Sequence, residues 1–316
     1  MSVGTRTESL LKITSPARGL DIEASHEALV QACVDTGDDA GRAELVSDSP
    51  NHLWLLPAER TLAMVHPDPD EAWAVVRSAR FLRQQGVAVT TPWYSDVRPS
   101  TGGLVVTFWP APGKRRADPA WSAWATALTH RIDPAAAPWL RPHDPFAGMG
   151  ADLDNAPLKA SDRYFLRERV AGLREEWEYL DWPTSDVVVL GGRGMVPVHD
   201  DGVRVGLLLR RPLTRGHREW DLVAARWRSE LLIGPSENQS AYTRTYQDYE
   251  RPDQAQGRFF IGIWSGYRVV RDVVVLTAVM DTVRRAHLDD GIRAQAAHRI
   301  ACLRGTCPAP WNWGPR

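Results

Sequence analysis

Apolar residues recur along this chain in two rhythms, and the change from one to the other divides it. Over residues 23–36 (EASHEALVQACVDT), Leu29, Val30, Ala32 and Cys33 fall on one face of a predicted helix. Short β-rich runs follow at 44–47 and 52–56, with Asp48-Ser49-Pro50-Asn51 as the turn between them. A third run covers 61–65, after a turn at 57–60. Residues 70–85 return to helical period through Trp73, Val76, Ala79, Phe81 and Leu82, and Gly86 stops the helix. Two more strands are expected at 92–98 and 104–109, around a Pro-Ser-Thr-Gly-Gly turn.

Residues 110–118 (PAPGKRRAD) break both rhythms with proline, glycine and charge, the pattern of a linker. Beyond it the helical period dominates. Helices are expected at 119–131, at 161–179 with Ser161 as the cap, and at 220–230, 238–250, 266–286 and 290–304. Residues 138–150 read as a loop with a short helix. The one β-rich interruption is a strand pair, 187–190 with 203–209, around the Asp-Gly hairpin signal of His199-Asp200-Asp201-Gly202. Trp311 and Trp313 near the end are costly to leave in water, so the tail is expected to be ordered.

Composition narrows the function classes. A length of 316 residues allows one large domain or two lobes, and 43% hydrophobic with 24% charged residues is ordinary for a globular chain. A net charge of −1 supplies no long-range field for nucleic acid or an anionic membrane, and neither is expected as a partner. No apolar run reaches membrane-spanning length and the first residues lack a signal-peptide core, so a cytoplasmic protein is expected. Cys33, Cys302 and Cys307 are too few and too uneven for a disulfide framework. The Cys302/Cys307 pair has no histidines at zinc-finger spacing, so no metal centre is expected there. Lysine occurs only at Lys12, Lys114 and Lys159 and arginine carries the remaining positive charge, the composition expected of a high-GC, actinobacterial genome.

Residues 173–223 carry the strongest motif, LREEWEYLDWPTSDVVVLGGRGMVPVHDDGVRVGLLLRRPLTRGHREWDLV. With HLWLLPAERTLAMVHP and RSARFLRQQGVAVTTP upstream and weaker echoes in HDPFAGM and CLRG, it resembles the aminoglycoside phosphotransferase family. The resemblance implies a two-lobed α+β, kinase-like fold: a β-rich N-lobe over 1–110, a hinge at 111–118 and a helical C-lobe over 119–316. In the family, LDWP is followed by HGD-x₄-N, then by a strand ending in D-F, then by PREWDL. Here the flanks stand and the chemistry is missing. The catalytic aspartate falls on Gly192, the asparagine on Pro197 and the metal-binding aspartate on Leu209. The basic residue of the third strand falls on Met64, and its glutamate partner on Val75.

Phosphoryl transfer requires a phosphate-holding cation, its glutamate partner, a catalytic aspartate and two metal ligands. All five positions lack the necessary group, which implies a pseudokinase with neither cofactor nor bound metal. Its expected role is to bind, as a scaffold or substrate-presenting subunit with a protein or peptide partner, or with a small molecule in the inter-lobe cleft, in a setting such as natural-product biosynthesis. The alternative is an atypical phosphotransferase, or another transferase, acting on a small-molecule or peptide hydroxyl. Arg193, Arg210, Asp200, Asp201 and Asp221 are the candidate cleft contacts. Asp221 also fits a structural role, bracing the catalytic loop through its backbone. Glu175, Glu176, Glu178 and Asp181 offer either an amine-binding face or a solvated helix. Tyr242, Tyr246 and Tyr249 offer either a binding face or core packing.

Overall fold

A computed structural model gives the fold of residues 20–48, 51–58, 60–94, 97–111, 119–191, 195–200, 204–228, 231, 242–247 and 261–313. Strand β3 (Thr61–His66) organises the first part of the chain, with all six of its residues buried. Alternation sends Leu62 and Met64 to one face of the sheet and Ala63 and Val65 to the other. β3 pairs antiparallel with β2 (His52–Leu56) and β5 (Val105–Pro110). β1 (Glu44–Ser47) lies beyond β2, and the two-residue β4 (Arg98–Pro99) lies beyond β5.

A helix covers each face. α1 (Ile22–Thr36), capped by the Asp21 carboxylate on Ala24 N, packs Ala28, Leu29, Ala32 and Cys33 against Trp54, Leu56, Val65 and Phe108. α2 (Pro69–Gln84), capped by Asp68, packs Ala72, Val75, Val76, Ala79 and Leu82 against the other face. Val30 and Trp73, expected on these buried faces, are 41% and 47% exposed. At about 100° per residue, each lies about 130° around its helix from the centre of the buried stripe. The strand expected over 92–98 shrinks to a Trp93 N–H bond to Phe108 O at 2.8 Å and the short β4. Pro92 and Pro99 lack the N–H that a longer ladder needs.

The strand pairing in the middle of the chain differs from expectation. β6 (Val187–Val189) pairs with β9 (Thr214–Gly216), whereas β8 (Arg204–Leu209) pairs with β7 (Met195–Asp200). Residues 195–200, expected as part of the connection between two strands, are themselves a strand. The other edge of β8 meets the segment after α2: Leu207 N donates to Ala88 O at 3.0 Å, and Thr90 N donates to Leu207 O at 2.8 Å. Leu207 thus points its N–H and C=O away from β7. Its partner across β7 is Pro197, so the residue without an N–H stands in a non-hydrogen-bonded pair, where none is needed. Gly206 suits the same approach, because a Cβ there would crowd Thr90, 3.2 Å from its Oγ1 and 3.3 Å from its N.

The rest is helical: α3 (Pro119–His130), α4 (Met149–Asn155), α5 (Ala160–Glu178), α6 (Arg218–Arg228), α7 at 242–247, α8 (Tyr267–Arg284) and α9 (Asp290–Leu303). Only 242–247 of the helix expected at 238–250 falls within the described residues. α5 begins one residue before Ser161, which is therefore not its cap; Lys159 holds that position without a side-chain bond. α8 is apolar nearly all round and is buried among α4, α5, α6 and α9. Among the described residues, no helix is long and apolar enough to cross a membrane.

The tail closes this core. Trp313 is 6% exposed, its ring stands 5.8 Å from that of Trp227, and its indole N–H donates to Cys302 Sγ at 3.3 Å. The Arg299 guanidinium lies 5.0 Å from the Trp313 ring centroid. Trp313→Ala is expected to lower unfolding stability by about 3–5 kcal/mol, read from denaturant midpoints, through the cavity it leaves.

Candidate functional site

Three of the positions where the resemblance expects charged groups come together and are sealed. Met64 on β3, Val75 on α2 and Leu209 at the end of β8 are each 0% exposed and belong to one apolar cluster. That cluster is continuous from the underside of the first sheet to β8, with Leu53, Leu62, Val76, Val89, Leu207 and Leu208 among its members. An ionised carboxylate at 209 would have neither water nor a cation to compensate its burial. Of the remaining expected positions, Gly192 lies outside the described residues and Pro197 is a residue of β7.

The next residue, Arg210, turns from the end of β8 to the turn between β1 and β2. Its Nη1 donates to Ser47 Oγ at 2.9 Å, its Nη2 to Asn51 O at 2.6 Å and its Nε to Asn51 Oδ1 at 3.3 Å. Asn51 Nδ2 donates back to Arg210 O at 2.9 Å. Only 6% of Arg210 is exposed, and burial lowers its pKa to about 10, which still leaves it a cation at neutral pH. The guanidinium reaches its acceptors through three separate nitrogens in a fixed planar fork, a geometry that an ammonium, with all its donors on one atom, does not match. A second arginine holds the same turn from α8: Arg285 Nη1 lies 2.6 Å from Asp48 Oδ2.

The latch continues inward through groups whose proton positions follow from one another. Asn51 Nδ2 stands 3.4 Å from His66 Nδ1, His66 Nε2 stands 3.1 Å from Thr107 Oγ1, and Trp109 Nε1 donates to that same oxygen at 2.8 Å. An amide nitrogen only donates, so His66 Nδ1 accepts and Nε2 carries the proton. Burial, aided by the charge of Arg210, lowers the His66 pKa to about 3. A protonated His66 would face the Asn51 amide donor to donor.

The cleft residues expected from sequence divide. Arg210 belongs to the latch and does not line the cavity described below. Asp221 is buried and does not line the cavity described below; its Oδ2 accepts from Leu190 N at 2.7 Å and lies 3.1 Å from His130 Nε2, bracing the segment that leads to Gly191. Arg193 and Asp201 lie outside the described residues. Asp200 ends β7 opposite Arg204. Glu175, Glu176, Glu178 and Asp181 are exposed, as a solvated face requires. Tyr242 and Tyr246 pack in a buried cluster with Ala123 and Ala127 of α3; Tyr249 lies outside the described residues.

An opening remains on the far side of Arg211. A cavity of about 290 Å³ is lined by Glu71 of α2, residues of the 141–147 loop, Gly191, Arg211, Thr214, Trp220 of α6, and Val274, Met280, Asp281 and Arg284 of α8. It is charged on one side and apolar on the other. Arg284 holds Asp152 through Nε and Nη2, the latter at 2.7 Å, and its Nη1 lies 3.5 Å from Asp281 Oδ1. Arg211 Nη2 lies 3.4 Å from the same Asp281 oxygen. Burial raises the Glu71 carboxyl above the usual range, against the pull of Arg211 and Arg284. Two buried donors or acceptors on the wall, Trp220 Nε1 and His143 Nε2, have no hydrogen-bond partner among the described residues. A ligand is one way to satisfy such groups. Burial lowers the His143 pKa to about 4, so it meets a ligand as a neutral ring.

Sequence reading missed most of this wall. His143 and Asp144 appear in the sequence only within the HDPFAGM echo, and Glu71 lies in the first turn of α2 without a motif to mark it. Trp220 appears in the sequence only as part of the REWDL match, and Asp281 and Arg284 carry no local signal.

No protein-family profile matches the chain, and no curated protein does. Solved structures do. A choline/ethanolamine kinase family protein from Mesorhizobium loti is similar with a TM-score of 0.53 at 16% identity, over 85% of this chain and 89% of that one. An amicoumacin kinase in complex with AMP-PNP is similar with a TM-score of 0.56 at 12% identity, over 87% and 92%. The aminoglycoside phosphotransferase APH(3'')-Id from Streptomyces rimosus is similar with a TM-score of 0.55 at 17% identity, over 78% and 97%. The chain therefore has a kinase-like fold. Its small antiparallel sheet and helical part match the fold of these neighbours.

Two outcomes follow from the latch. Arg210→Ala removes the donors to the side-chain and backbone oxygens of buried Asn51 and is expected to cost about 3 kcal/mol in a denaturant melt, at about 1–3 kcal/mol per buried polar group that loses its bond. The second concerns pH. His66, His52 and His143 fold with pKa values lowered to about 3, 4 and 4. The unfolded chain takes up these protons near 6.5 and the folded chain does not, so this stability is complete above 6.5 and lost as pH falls towards 3–4. Each unit of depression is worth about 1.4 kcal/mol. Denaturant midpoints should fall between pH 6.5 and 4, with a shallower slope in His66→Asn.

Proposed function

We propose that this chain is a pseudokinase, a protein of kinase-like fold that binds a ligand or partner and transfers no phosphate. The observation that carries the reading is the buried convergence of Met64, Val75 and Leu209 beneath the Arg210 latch. In kinases the loop between the first strands covers the nucleotide phosphates. In this chain the corresponding β1–β2 turn is tied to the end of β8 by Arg210 and to α8 by Arg285. A bound nucleotide would have to break both ties. It would then meet apolar side chains where phosphates and magnesium need charge.

The cavity beside Arg211 is the ligand site of this reading. Its size suits a small molecule or one side chain of a peptide or protein partner, as in a scaffold or substrate-presenting subunit. Its groups suit a ligand that is polar at one end and apolar at the other. Trp220 Nε1 offers a proton and Arg211 and Arg284 offer positive charge, while Met149, Val274 and Met280 supply an apolar wall.

Thermal melting with and without Mg-ATP tests the reading against a phosphotransferase. A ligand at one hundred times its Kd stabilises the folded state by about 2.7 kcal/mol, which is several degrees. The expected result at millimolar Mg-ATP is an unchanged Tm with no ADP formed. A rise of several degrees that requires magnesium would overturn the proposal.

A further inference from the structure

Far along the chain from the inter-lobe residues, three side chains meet that neither the latch nor the cavity uses. His298 and Cys302 lie one turn apart on α9, which places them on the same face. The helix ends at Leu303, and Gly305 turns the backbone in the left-handed region at φ 76°. That turn returns Cys307 to the end of the helix. The ligand atoms of His298, Cys302 and Cys307 all lie within 4.8 Å of one another, and His298 Nε2 stands 3.7 Å from Cys302 Sγ. A tetrahedral zinc ion, with bonds of about 2.3 Å to sulfur and about 2.0–2.1 Å to nitrogen, holds such a pair about 3.6 Å apart. His298 and Cys302 already stand at that separation. The histidine missing after the cysteines at zinc-finger spacing comes instead from four residues before them.

We propose that His298, Cys302 and Cys307 form a binding site for one thiophilic divalent cation, with zinc the best match and the fourth position left to water or an incoming ligand. Two thiols and an imidazole favour zinc over magnesium or calcium, which prefer oxygen. Cys302 is buried, Cys307 is partly buried and His298 is exposed, so an ion has an entry path and a floor. The thiols are not joined as a disulfide. Groups behind the ligands are in place: Trp313 Nε1 donates to Cys302 Sγ at 3.3 Å, and Trp311 Nε1 donates to Cys307 O at 3.2 Å. Such contacts orient ligands and tune the metal they hold. Binding would form two metal–sulfur bonds and one metal–nitrogen bond and release the two thiol protons to solvent. It would fasten the tail that carries Trp311 and Trp313 to α9.

The test uses the full-length chain, reduced with a phosphine that does not chelate strongly, and titrated with Co(II) as a spectroscopic substitute for zinc. The expected result is a thiolate-to-cobalt charge-transfer band that saturates at one equivalent and is displaced by Zn(II). Cys307→Ser and His298→Gln alter partly or fully exposed positions, and circular dichroism confirms their fold; each should weaken binding by at least about tenfold. Zinc should raise the Tm of the parent chain and leave that of Cys307→Ser unchanged. A reduced, folded chain without the band, or a band of equal strength in Cys307→Ser, would overturn the proposal. So would a band that appears only in denaturant.

Discussion

The rest of the inter-lobe arrangement depends on a buried cation held by neutral acceptors. Among the described residues, Arg210 hydrogen-bonds to no carboxylate; a hydroxyl, an amide oxygen and a backbone carbonyl accept from it instead. Neutral acceptors compensate a buried guanidinium only if all are held in place together. Each is held: Ser47 by the end of β1, and Asn51 by its own bonds to Arg210 O and His66. Loss of Arg210 takes the donors from both Asn51 oxygens at once. The turn between β1 and β2, the end of β8 and the inner edge of β3 therefore behave as one cooperative unit, with the apolar cluster of Met64, Val75 and Leu209 beneath it.

Charged and apolar surroundings lie close together along the same segments. Acid and base meet at the cavity wall, which Glu71, Asp281, Arg211 and Arg284 line together. On β3, in the middle of α2 and at the end of β8, the apolar side chains of Met64, Val75 and Leu209 are sealed in one cluster. Leu209 and Arg211 are two positions apart and lie in opposite environments, one in the sealed cluster and the other at the opening.

Most of the architecture was legible because it is written in periods. The buried alternation of β3, the stripe of α2 and the apolar girth of α8 are local patterns, and the Asp21, Asp68 and Asp289 caps are local too. What escaped was long-range. The partners of Arg210 lie 159 and 163 residues away, and no local rule distinguishes its reach towards Asn51 from a contact with a ligand. The same limit explains β7: its valines alternate, but Pro197 argues against a strand until its register is known. The cavity wall draws on several separate segments, and the cluster at His298 depends on a turn that folds Cys307 back. The departures at Gly192, Pro197 and Leu209 from the motif that the chain resembles are visible in the sequence because a motif is local, whereas the Arg210 latch is purely spatial.

The register of β7 has a consequence for how this part of the chain can change over generations. Pro197 is harmless only because Leu207 opposite directs its peptide groups to Ala88 and Thr90. Inserting or deleting a single residue between Pro197 and the end of β7 would move the proline to a position that must donate. Changes of two residues keep the parity. Length variation among descendants of this chain should therefore be concentrated in the turn between β7 and β8, and within the strand itself should come in even steps.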